Sequence, residues 1–474
     1  MSEGPLELAT AIARGVAGAG GRAWLVGGFV RDRLLHLPSK DIDVEVFGIA
    51  PDALPALLSR YGRVEPVGQS FPVYKVEGID VALPRRESKT GRGHKGFTVE
   101  GDAAMSFADA ARRRDFTINA IGWDPLTGEY ADPFGGQADL RQRRLRVVDP
   151  ARFADDSLRV LRAVQFAARF ELDVDAETRA LLAGIRLDDL PAERVWGEVE
   201  KLLLRARRPS PGLELALAIG VVDQLWPELR ALVDCPQEPE WHPEGDVWVH
   251  TLMVIDEART RIDDLAHSGQ VVVMLGAVCH DLGKPPTTAV IDGRIRSLGH
   301  EEAGVPPASA LLDRLNIHTI DGFDVRRHVL GIVAHHLKPG AWYKVRDDVG
   351  DGAFRRLAAR VDLELLARVA RSDCEGRGGS FDCGAMDWFL ARARQLGVEH
   401  RPPAPLVLGR HLLALGVAPG PRMGVILKQI YERQLDGAVT TLDEGIALAR
   451  ALLGHGATEH AETSGHRDTE TRSE

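Results

Sequence analysis

The 474-residue chain has few cysteines, no long apolar run and no excess of positive charge. Its four cysteines, Cys235, Cys279, Cys374 and Cys383, form no CxxC pair, which indicates reduced thiols in a cytoplasmic protein and excludes a disulfide framework. The absence of about 20 consecutive apolar residues excludes a transmembrane helix, and the N-terminus lacks the basic flank and apolar stretch of a secretory signal. The formal net charge of −10 excludes a protein that binds nucleic acid through overall positive charge alone, although residues 85–210 carry a small positive net charge.

The spacing of apolar residues divides the chain into a first part of mixed strands and helices and a helical remainder. Strands are predicted where apolar residues run together or alternate with polar ones, at 23–26, 41–47, 73–76 and 79–83. Helical spacing dominates from about residue 150, as in 157–169, 192–204 and 355–370. The length predicts three or four domains. The patterning predicts an α+β fold, in which a head with a small mixed sheet precedes an all-α body.

Two aspartates follow a twin glycine in the first part of the chain. Gly27 and Gly28 end a predicted strand, and Arg31 lies just beyond them. Asp41 and Asp43 point to the same face of the next strand, where two carboxylates and nucleotide phosphates suit Mg²⁺. Two metal ions would stabilise an in-line attack that releases pyrophosphate. The glycines let backbone N–H groups approach a triphosphate, to which Arg31 also donates. The pattern therefore predicts a nucleotidyl-transfer site.

Further polar residues extend this site. Asp80 lies on a later predicted strand and is a candidate third carboxylate. The run RRDFTINA, which contains Arg114, Asp115 and Asn119, suits a triphosphate and a ribose, because arginine neutralises phosphate and asparagine bonds to hydroxyls.

The run DDSLRVLR predicts a helix with Asp155, Arg159 and Arg162 on one face and Asp156 beside them. A carboxylate and a guanidinium held together can read a base, since the carboxylate accepts from an exocyclic amine and the guanidinium donates to the adjacent ring nitrogen. Cytosine and adenine offer that pair of groups, whereas uracil and guanine offer a carbonyl and a ring N–H. Such a reader would select C and A without a nucleic-acid template.

The chain resembles the class II tRNA nucleotidyltransferases, which include the CCA-adding enzymes and bacterial poly(A) polymerases. The resemblance covers about residues 22–206 and is carried by the ordered motifs GGFVRD, DID, RRDFTINA, DPFGGQADL, DDSLRVLRAVQFAARF and PAERVWGEVEKLLL. It implies a polymerase-β-like head, helical neck, body and tail domains, and Mg²⁺-dependent addition of CMP and AMP, from CTP and ATP, to the 3′ end of tRNA.

Residue pattern and resemblance together predict that the catalytic carboxylates are Asp41, Asp43 and Asp80, and that Asp41 and Asp43 bind Mg²⁺. The predicted nucleotide-binding residues are Gly28, Arg31, Arg114, Asp115, Asn119, Asp155, Asp156, Arg159 and Arg162. The family usually has Glu-Asp where this chain has Asp155-Asp156. The glycine-rich basic stretch 84–97 predicts a mobile loop, which in the family assists the switch from C to A addition.

Histidines and aspartates gather in a second region, because nine of the sixteen histidines lie between residues 242 and 336. His250, then His280-Asp281 in HDLGK, and Asp373 form an H…HD…D order that resembles the HD phosphohydrolase domain. Ligands of this kind on different helices can share one divalent ion, which would lower the pKa of a bound water. The resemblance implies that these four residues bind a second metal of unknown identity, with His300 and His336 as further contacts. His242, His267, His318 and His328 are expected to be ordinary histidines.

The predicted domains, in chain order, are a head, a neck, a connecting body, an HD domain, a helical tail and a disordered polar end. Their boundaries are 1–146, 147–206, 207–241, 242–375, 376–455 and 456–474.

The predicted function is tRNA CCA addition and repair with an added phosphohydrolase activity on 2′,3′-cyclic or 2′-phosphates. The alternatives are a CC-adding or A-adding specialist, a poly(A) polymerase, a tRNA-binding phosphohydrolase with an inactive head, or a non-catalytic RNA-binding protein.

Overall fold

The computed structural model describes residues 4–39, 41–67, 73–89 and 97–463. The chain forms two compact units. Unit 1 comprises residues 1–233 and 313–316, and unit 2 comprises residues 234–312 and 317–474. The finer division into head, neck, body, HD domain and tail stays a prediction. Within the described part of the chain, no helix is both long and apolar enough to span a membrane.

Unit 1 contains a mixed sheet of seven strands in the order β3-β4-β5-β2-β1-β8-β9. The strands and the two-residue pairings of this unit are β1 Arg22–Val26, β2 Asp43–Phe47, β3 Val64–Val67, β4 Val73–Val76, β5 Ile79–Ala82, β6 Arg85–Lys89, β7 Phe97–Gly101, β8 Gly122–Trp123, β9 Tyr130–Ala131, β10 Arg144–Leu145 and β11 Asp173–Val174. Only β2 and β5 pair in parallel within the described sheet, and the remaining neighbours are antiparallel. The predicted strands therefore form, although β2 begins at Asp43 and not at residue 41.

In the described residues of unit 1, twelve helices surround or follow the sheet. They are α1 Pro5–Gly18, α2 Gly28–Leu34, α3 Leu54–Leu58, α4 Phe107–Arg112, α5 Gly136–Arg141, α6 Pro150–Phe153, α7 Leu158–Phe170, α8 Ala176–Ala183, α9 Ala192–Arg205, α10 Ser210–Ala218, α11 Val221–Leu225 and α12 Pro227–Arg230, with a 3₁₀ turn at Thr117–Asn119. α7 packs against α9. Phe116, which is fully buried, connects α6 to α7 through ring contacts with Phe153 on α6 and Phe166 on α7.

The chain beyond residue 233 is largely helical, with two short hairpins. Its helices are α13 Val247–Arg259, α14 His267–Cys279, α15 Lys284–Thr287, α16 His300–Ala303, α17 Val305–Arg314, α18 Val325–His335, α19 Lys338–Lys344, α20 Asp351–Ala358, α21 Leu363–Glu375, α22 Gly384–Gln395, α23 Gly409–Ala414, α24 Pro421–Leu435 and α25 Leu442–Thr463. The hairpins pair β12 Thr288–Ile291 with β13 Arg294–Ser297, and β14 Thr319–Ile320 with β15 Phe323–Asp324. α13, α14, α18 and α21 pack against one another and form the centre of unit 2.

Three secondary-structure predictions need correction. The single helix expected at 355–370 is two helices, because Asp362 caps a new one: its carboxylate accepts the Leu365 backbone N–H. The loop expected at 84–97 contains the strand β6, which pairs with β7 in a hairpin, while residues 90–96 lie outside the described residues. The polar end was expected to begin at residue 456, but α25 continues to Thr463, and residues 464–474 lie outside the described residues.

The prediction of four reduced cysteines is wrong for one pair. Cys374 and Cys383 form a disulfide between the end of α21 and the residue before α22, whereas Cys235 and Cys279 are free and buried. A spacing of nine residues carries no pairing signal in the sequence, because the two thiols meet only once the intervening segment turns back.

Candidate active sites

A cleft of about 440 Å³ in unit 1 brings together most of the predicted nucleotide-binding residues. Its lining is strongly basic, with eight cationic side chains against the three carboxylates of Asp43, Asp115 and Asp156. The predicted residues in the lining are Gly28, Arg31, Asp43, Arg114, Asp115, Asn119, Asp156, Arg159 and Arg162. A cleft with this charge attracts a polyanion such as a triphosphate.

The carboxylates of the predicted metal site lie near one another on two central strands of the sheet. Asp43 and Asp80 lie side by side in register on the parallel strands β2 and β5, and Asp41 precedes Asp43 by two residues. Desolvation at the cleft wall raises the pKa of Asp43, the carboxylates of Asp80 and Asp41 add to this, and Arg114 opposes it. Of these three described carboxylates, Asp43 is the one that lines the cleft; Asp41 is exposed, and Asp80 lies 3.7 Å from Lys75. Carboxylates that repel one another in this way fit a hard divalent cation such as Mg²⁺.

A buried glutamate on the same strand fixes two arginines beside Asp43. Glu45 is 2% exposed, and its oxygens lie 2.7 Å from Arg113 and 3.4 Å from Arg114. Burial opposes its ionisation, but the two guanidinium groups outweigh burial and lower the pKa of Glu45. Arg114 is thereby held next to Gly27, where a Cβ would come within 3.2 Å of its Nη1. Because Gly27 has a φ of 70°, the turn from β1 into α2 requires glycine there.

A chain of hydrogen bonds connects α2 to α7. Arg31 is buried, pairs with Asp32 and donates from Nη1 to Asn119 Oδ1 at 2.8 Å. Asn119 donates in turn to Asp115 at 2.9 Å, and Asp115 accepts from Arg162 Nε at 2.7 Å. The predicted residues Arg31, Asn119, Asp115 and Arg162 therefore form one network, in which most of their polar groups are already engaged.

The predicted base-reading segment is arranged differently from the expectation. α7 begins at Leu158, so Asp155 and Asp156 lie in the turn before it and not on the helix, and Asp155 is absent from the cleft lining. Asp156 does not pair with Arg159 in the bonds described: its two oxygens accept from Arg194 at 3.2 and 2.9 Å. Arg159 donates to the backbone carbonyls of Arg152 and Arg113.

Arg194 is the functional candidate that the residue patterns missed. It lies on α9, 38 residues beyond Asp156, and also lines the cleft. Its motif, PAERVWGEVEKLLL, was recognised, but only the packing of α9 on α7 shows which residue of the motif faces Asp156.

Unit 2 contains a second site, in which four histidines and two aspartates converge. His250 Nε2 lies 3.1 Å from Asp373 Oδ1 and 3.4 Å from His280 Nε2. Asp281 stands between two sets of histidines: its Oδ2 lies 3.1 Å from His280 and 3.7 Å from His250. Its Oδ1 lies 3.4 Å from His300 Nε2 and 3.9 Å from His336 Nε2. All four predicted ligands are thus brought together, and so are the two further histidines.

Each of these histidines is oriented through its other ring nitrogen. The Nδ1 atoms of His280, His300 and His336 lie 2.8, 2.8 and 2.9 Å from the backbone carbonyls of Ala277, Ser297 and Val333. An N–H donated from Nδ1 leaves Nε2 as a lone pair directed at the centre of the cluster, as metal ligation requires. Burial lowers the pKa of His336 to about 3, so it is neutral at physiological pH. The donor set therefore fits a divalent transition metal.

Two residues near the cluster depart from the sequence predictions. His242 was expected to be an ordinary histidine, but it lines the cavity of about 250 Å³ at the cluster and its Nδ1 lies 2.9 Å from Glu244. Glu244, which was not predicted, also lies 2.8 Å from His250 Nδ1. Burial opposes its ionisation, but the bonds from His242 and His250 lower the pKa of Glu244 far below its usual range.

Comparisons with known proteins agree with this geometry. The family profile described as Poly A polymerase head domain matches residues 23–146. A multifunctional CCA protein of Nitrosococcus oceani is 39% identical over 423 residues, which are 87% of this chain and 96% of that protein. A multifunctional CCA protein of Mannheimia succiniciproducens is 40% identical over 371 residues, which are 76% of this chain and 85% of that protein. The chain belongs to the multifunctional CCA protein family.

Solved structures show the same fold as this family member. The CCA-adding enzyme of Bacillus stearothermophilus in complex with CTP is 21% identical, with a TM-score of 0.64 over 97% of this chain and 100% of that chain. The Thermotoga maritima CCA-adding enzyme complexed with tRNA is 18% identical, with a TM-score of 0.58 over 96% of both chains. The predicted α+β fold with a mixed sheet and helices is confirmed, and the family is one of divalent-metal-dependent nucleotidyltransferases.

The Asp115 network predicts a pH-dependent stability in this multifunctional CCA protein. Burial opposes ionisation, but Arg162, Asn119 and the Phe116 N–H together lower the pKa of Asp115 below its usual range. A lowered folded pKa contributes stability that is present above the unfolded value of about 3.9 and is lost as the pH falls through the folded value. Asp115→Asn should therefore lower the free energy of unfolding by about 3 kcal/mol at pH 7, and by less near pH 3. Urea unfolding at both pH values measures this.

Asp188→Asn is the matched control. Asp188 forms a solvent-exposed ion pair with Arg186, so its replacement should change the free energy of unfolding little. Equal destabilisation by Asp115→Asn at pH 7 and pH 3 would contradict the electrostatic role.

Proposed function

We propose that this protein adds and repairs the 3′-terminal CCA of tRNA, using CTP and ATP as donors. The observation that carries the proposal is that one basic cleft holds Asp43 together with Asp156, Arg159 and Arg194. A metal-binding carboxylate and base-reading groups thus share a cavity whose volume suits one nucleotide. This agrees with the names of the curated relatives and with solved relatives that bind CTP and ATP.

Asp41, Asp43 and the neighbouring Asp80 would hold Mg²⁺, which when bound neutralises charge on the reacting phosphates. Arg114, fixed by Glu45, would donate to the triphosphate, and the α2 N-terminus at Gly28 would offer backbone N–H groups to it. The oxygen of the tRNA 3′ hydroxyl, whose proton passes to solvent, would form a bond to the α-phosphorus while the α–β phosphoanhydride bond breaks and pyrophosphate leaves. The Asp115 network would keep the cleft wall rigid behind the nucleotide.

Asp156 and Arg159 would read the base together, although each is held by different neighbours. The Asp156 carboxylate accepts the exocyclic amine of C or A, and Arg159 donates to the adjacent ring nitrogen. U and G would place a carbonyl against Asp156 and an N–H against Arg159, so both contacts would be repulsive. The stretch 84–97 resembles the loop that in the family assists the switch from C to A addition, and it would favour full CCA synthesis over the CC-adding alternative.

The first test removes the carboxylate that lines the cleft. Asp43→Asn should lower incorporation of CMP and AMP into tRNA lacking CCA by roughly 1,000-fold, because several kcal/mol of charge stabilisation is lost. Gel analysis with CTP alone, ATP alone and both nucleotides measures this, with the exposed Asp52→Asn as control. Unchanged incorporation would refute the site, and failure of wild-type protein to add A after CC would make it a CC-adding enzyme.

A second prediction concerns Arg194, which we propose positions the base-reading carboxylate. Arg194→Ala should leave Asp156 without its bidentate partner and reduce discrimination of CTP over UTP by roughly tenfold. The ratio of kcat/KM values for the two nucleotides measures this. Arg194→Lys should restore the ratio only in part, because lysine cannot make the bidentate contact. The exposed Arg186→Ala is the control, and an unchanged CTP:UTP ratio would refute the positioning role.

We also propose that unit 2 is a metal-dependent phosphohydrolase of the HD type, acting on 2′,3′-cyclic phosphates and 2′-phosphates. Two ions fit the cluster better than one, because Asp281 directs its two oxygens at different histidines. His250, His280 and Asp373 would hold one ion and His300 and His336 the other, and Asp281 offers one oxygen on the side of each set. Bound metal would supply an activated water, while Lys284, 2.7 Å from Asp281, would face the phosphate.

Metal content tests this assignment. The double variant His280→Ala, Asp281→Asn should lose two equivalents of Mn²⁺ per chain relative to wild type, together with hydrolysis of 2′,3′-cyclic AMP, because both half-sites use Asp281. His300→Ala should lose only one equivalent. Elemental analysis after dialysis gives the stoichiometry, with the exposed His318→Ala as control. Hydrolysis that survives in the double variant would discard the proposal.

A further inference from the structure

The metal cluster of unit 2 adjoins a second and larger cavity of about 490 Å³. The two cavities share five lining residues, Trp241, His336, Leu337, Asp373 and Arg377. Two of these, His336 and Asp373, belong to the cluster itself. A ligand bound in the larger cavity can therefore reach the metal-binding groups with one end.

The walls of this larger cavity suit a flat aromatic ring. Trp241, Tyr343 and Phe381 contribute aromatic surface, and Leu337 and Met386 contribute apolar surface. Trp241 is half exposed, with 50% of its surface accessible, although large aromatic side chains are usually buried. Aromatic platforms beside a phosphate-binding centre are typical of sites that stack nucleobases.

Arg377 lies where the two cavities meet. Its Nη2 is 3.8 Å from Asp373 Oδ1, and its guanidinium lies over the Phe381 ring at 5.3 Å. Its Nε is buried and has no hydrogen-bond partner among the described residues. A buried donor without a partner is costly, and a ligand oxygen at this position would satisfy it. The guanidinium therefore faces both a phosphate position and a stacking position.

The segment that carries Arg377 and Phe381 is fixed at three points. The disulfide between Cys374 and Cys383 joins its two ends. Between them, the Gly378 N–H donates to Glu244 Oε2 at 3.0 Å. The other oxygen of Glu244 lies 2.8 Å from His250 Nδ1. One carboxylate thus holds both a predicted metal ligand and the segment that borders the cavity.

We propose that the larger cavity is a nucleobase subsite of the phosphohydrolase, in which Trp241 and Phe381 stack the base and Arg377 binds the phosphate. The inference rests on the proposed phosphohydrolase function and assigns the residues that would recognise the nucleoside end of its substrate, whether a free nucleotide or an RNA 3′ end. In the reaction, a water oxygen bonds to phosphorus, the bond from phosphorus to the ribose oxygen breaks, and that oxygen receives a proton.

Binding to metal-free, full-length protein tests the subsite without catalysis. Equilibrium dialysis with adenosine 2′-monophosphate should show roughly tenfold weaker binding for Trp241→Ala and for Phe381→Ala, as expected when one stacking contact is lost. Trp241 is half exposed, so its removal is compatible with folding. Leu413→Ala, which removes an apolar side chain of equal exposure elsewhere in unit 2, is the control. Unchanged binding by both aromatic variants overturns the inference.

Hydrolysis by the Mn²⁺-loaded protein gives the second measurement. In Trp241→Ala and Phe381→Ala, KM should rise about tenfold for adenosine 2′-monophosphate and less than twofold for glycerol 2-phosphate, which has no base. Arg377→Gln should raise KM for both substrates, because both present a phosphate. Equal effects of the aromatic variants on both substrates overturn the subsite.

Failure of the phosphohydrolase function and failure of the nucleobase subsite can be distinguished. Absence of hydrolysis in wild-type protein, with base-dependent binding retained, refutes the phosphohydrolase function but supports the subsite. A tRNA ending in a 2′-phosphate, used beside the mononucleotide, separates the two sources of ligand. Aromatic variants that weaken only the tRNA reaction indicate an RNA end, and variants that weaken both indicate a site for the terminal nucleotide alone.

Discussion

The buried carboxylate of Asp115 is the interaction on which the cleft of unit 1 depends. Eight cationic side chains line that cleft, and their mutual repulsion must be offset before a nucleotide arrives. Asp115 accepts from Arg162 on α7 and from Asn119, which in turn accepts from Arg31 on α2. The same carboxylate thus neutralises part of the cleft and fixes the helix α7 against the turn that contains Asn119. Glu45 has the corresponding role for Arg113 and Arg114.

The metal cluster in unit 2 also depends on buried carboxylates, but there the carboxylates are the groups that must be kept charged. There, Asp281 and Asp373 are buried among histidines, and burial opposes their ionisation. His280 and Lys284 nevertheless keep the pKa of Asp281 well below its usual range, and His250 and Arg377 do the same for the pKa of Asp373. Carboxylates that stay ionised in a buried site are held ready for a cation. The short contacts between neighbouring Nε2 atoms, such as 3.2 Å between His300 and His336, are likewise arrangements that a shared ion would satisfy.

The sequence predicted the parts of this molecule that local patterns encode. Runs and alternation of apolar residues located β1, β2, β4 and β5, because strand patterns arise from neighbours along the chain. The H…HD…D order located the cluster through its resemblance to the HD domain, although its members are spread from residue 250 to residue 373. Features that depend on distant packing were not predictable. Arg194 meets Asp156 only because α9 packs on α7, and Glu244 reaches His250 only through the turn before α13. The disulfide between Cys374 and Cys383 depends on the path of the intervening segment, and the break before α21 on the cap at Asp362.

Asp156 and Arg159 are held by different neighbours, and this arrangement would help one site to accept both cytosine and adenine. A pyrimidine and a purine place their amine and ring nitrogen at different depths in the cleft, so a rigid pair bonded to itself would fit only one of them. Asp156 is held by Arg194, a long side chain from another helix, and Arg159 by two backbone carbonyls. Neither group must break a bond to the other when it binds a base. In the proposed mechanism each group adjusts to its own partner, because selection would lie in the direction of the two hydrogen bonds and not in the size of the base.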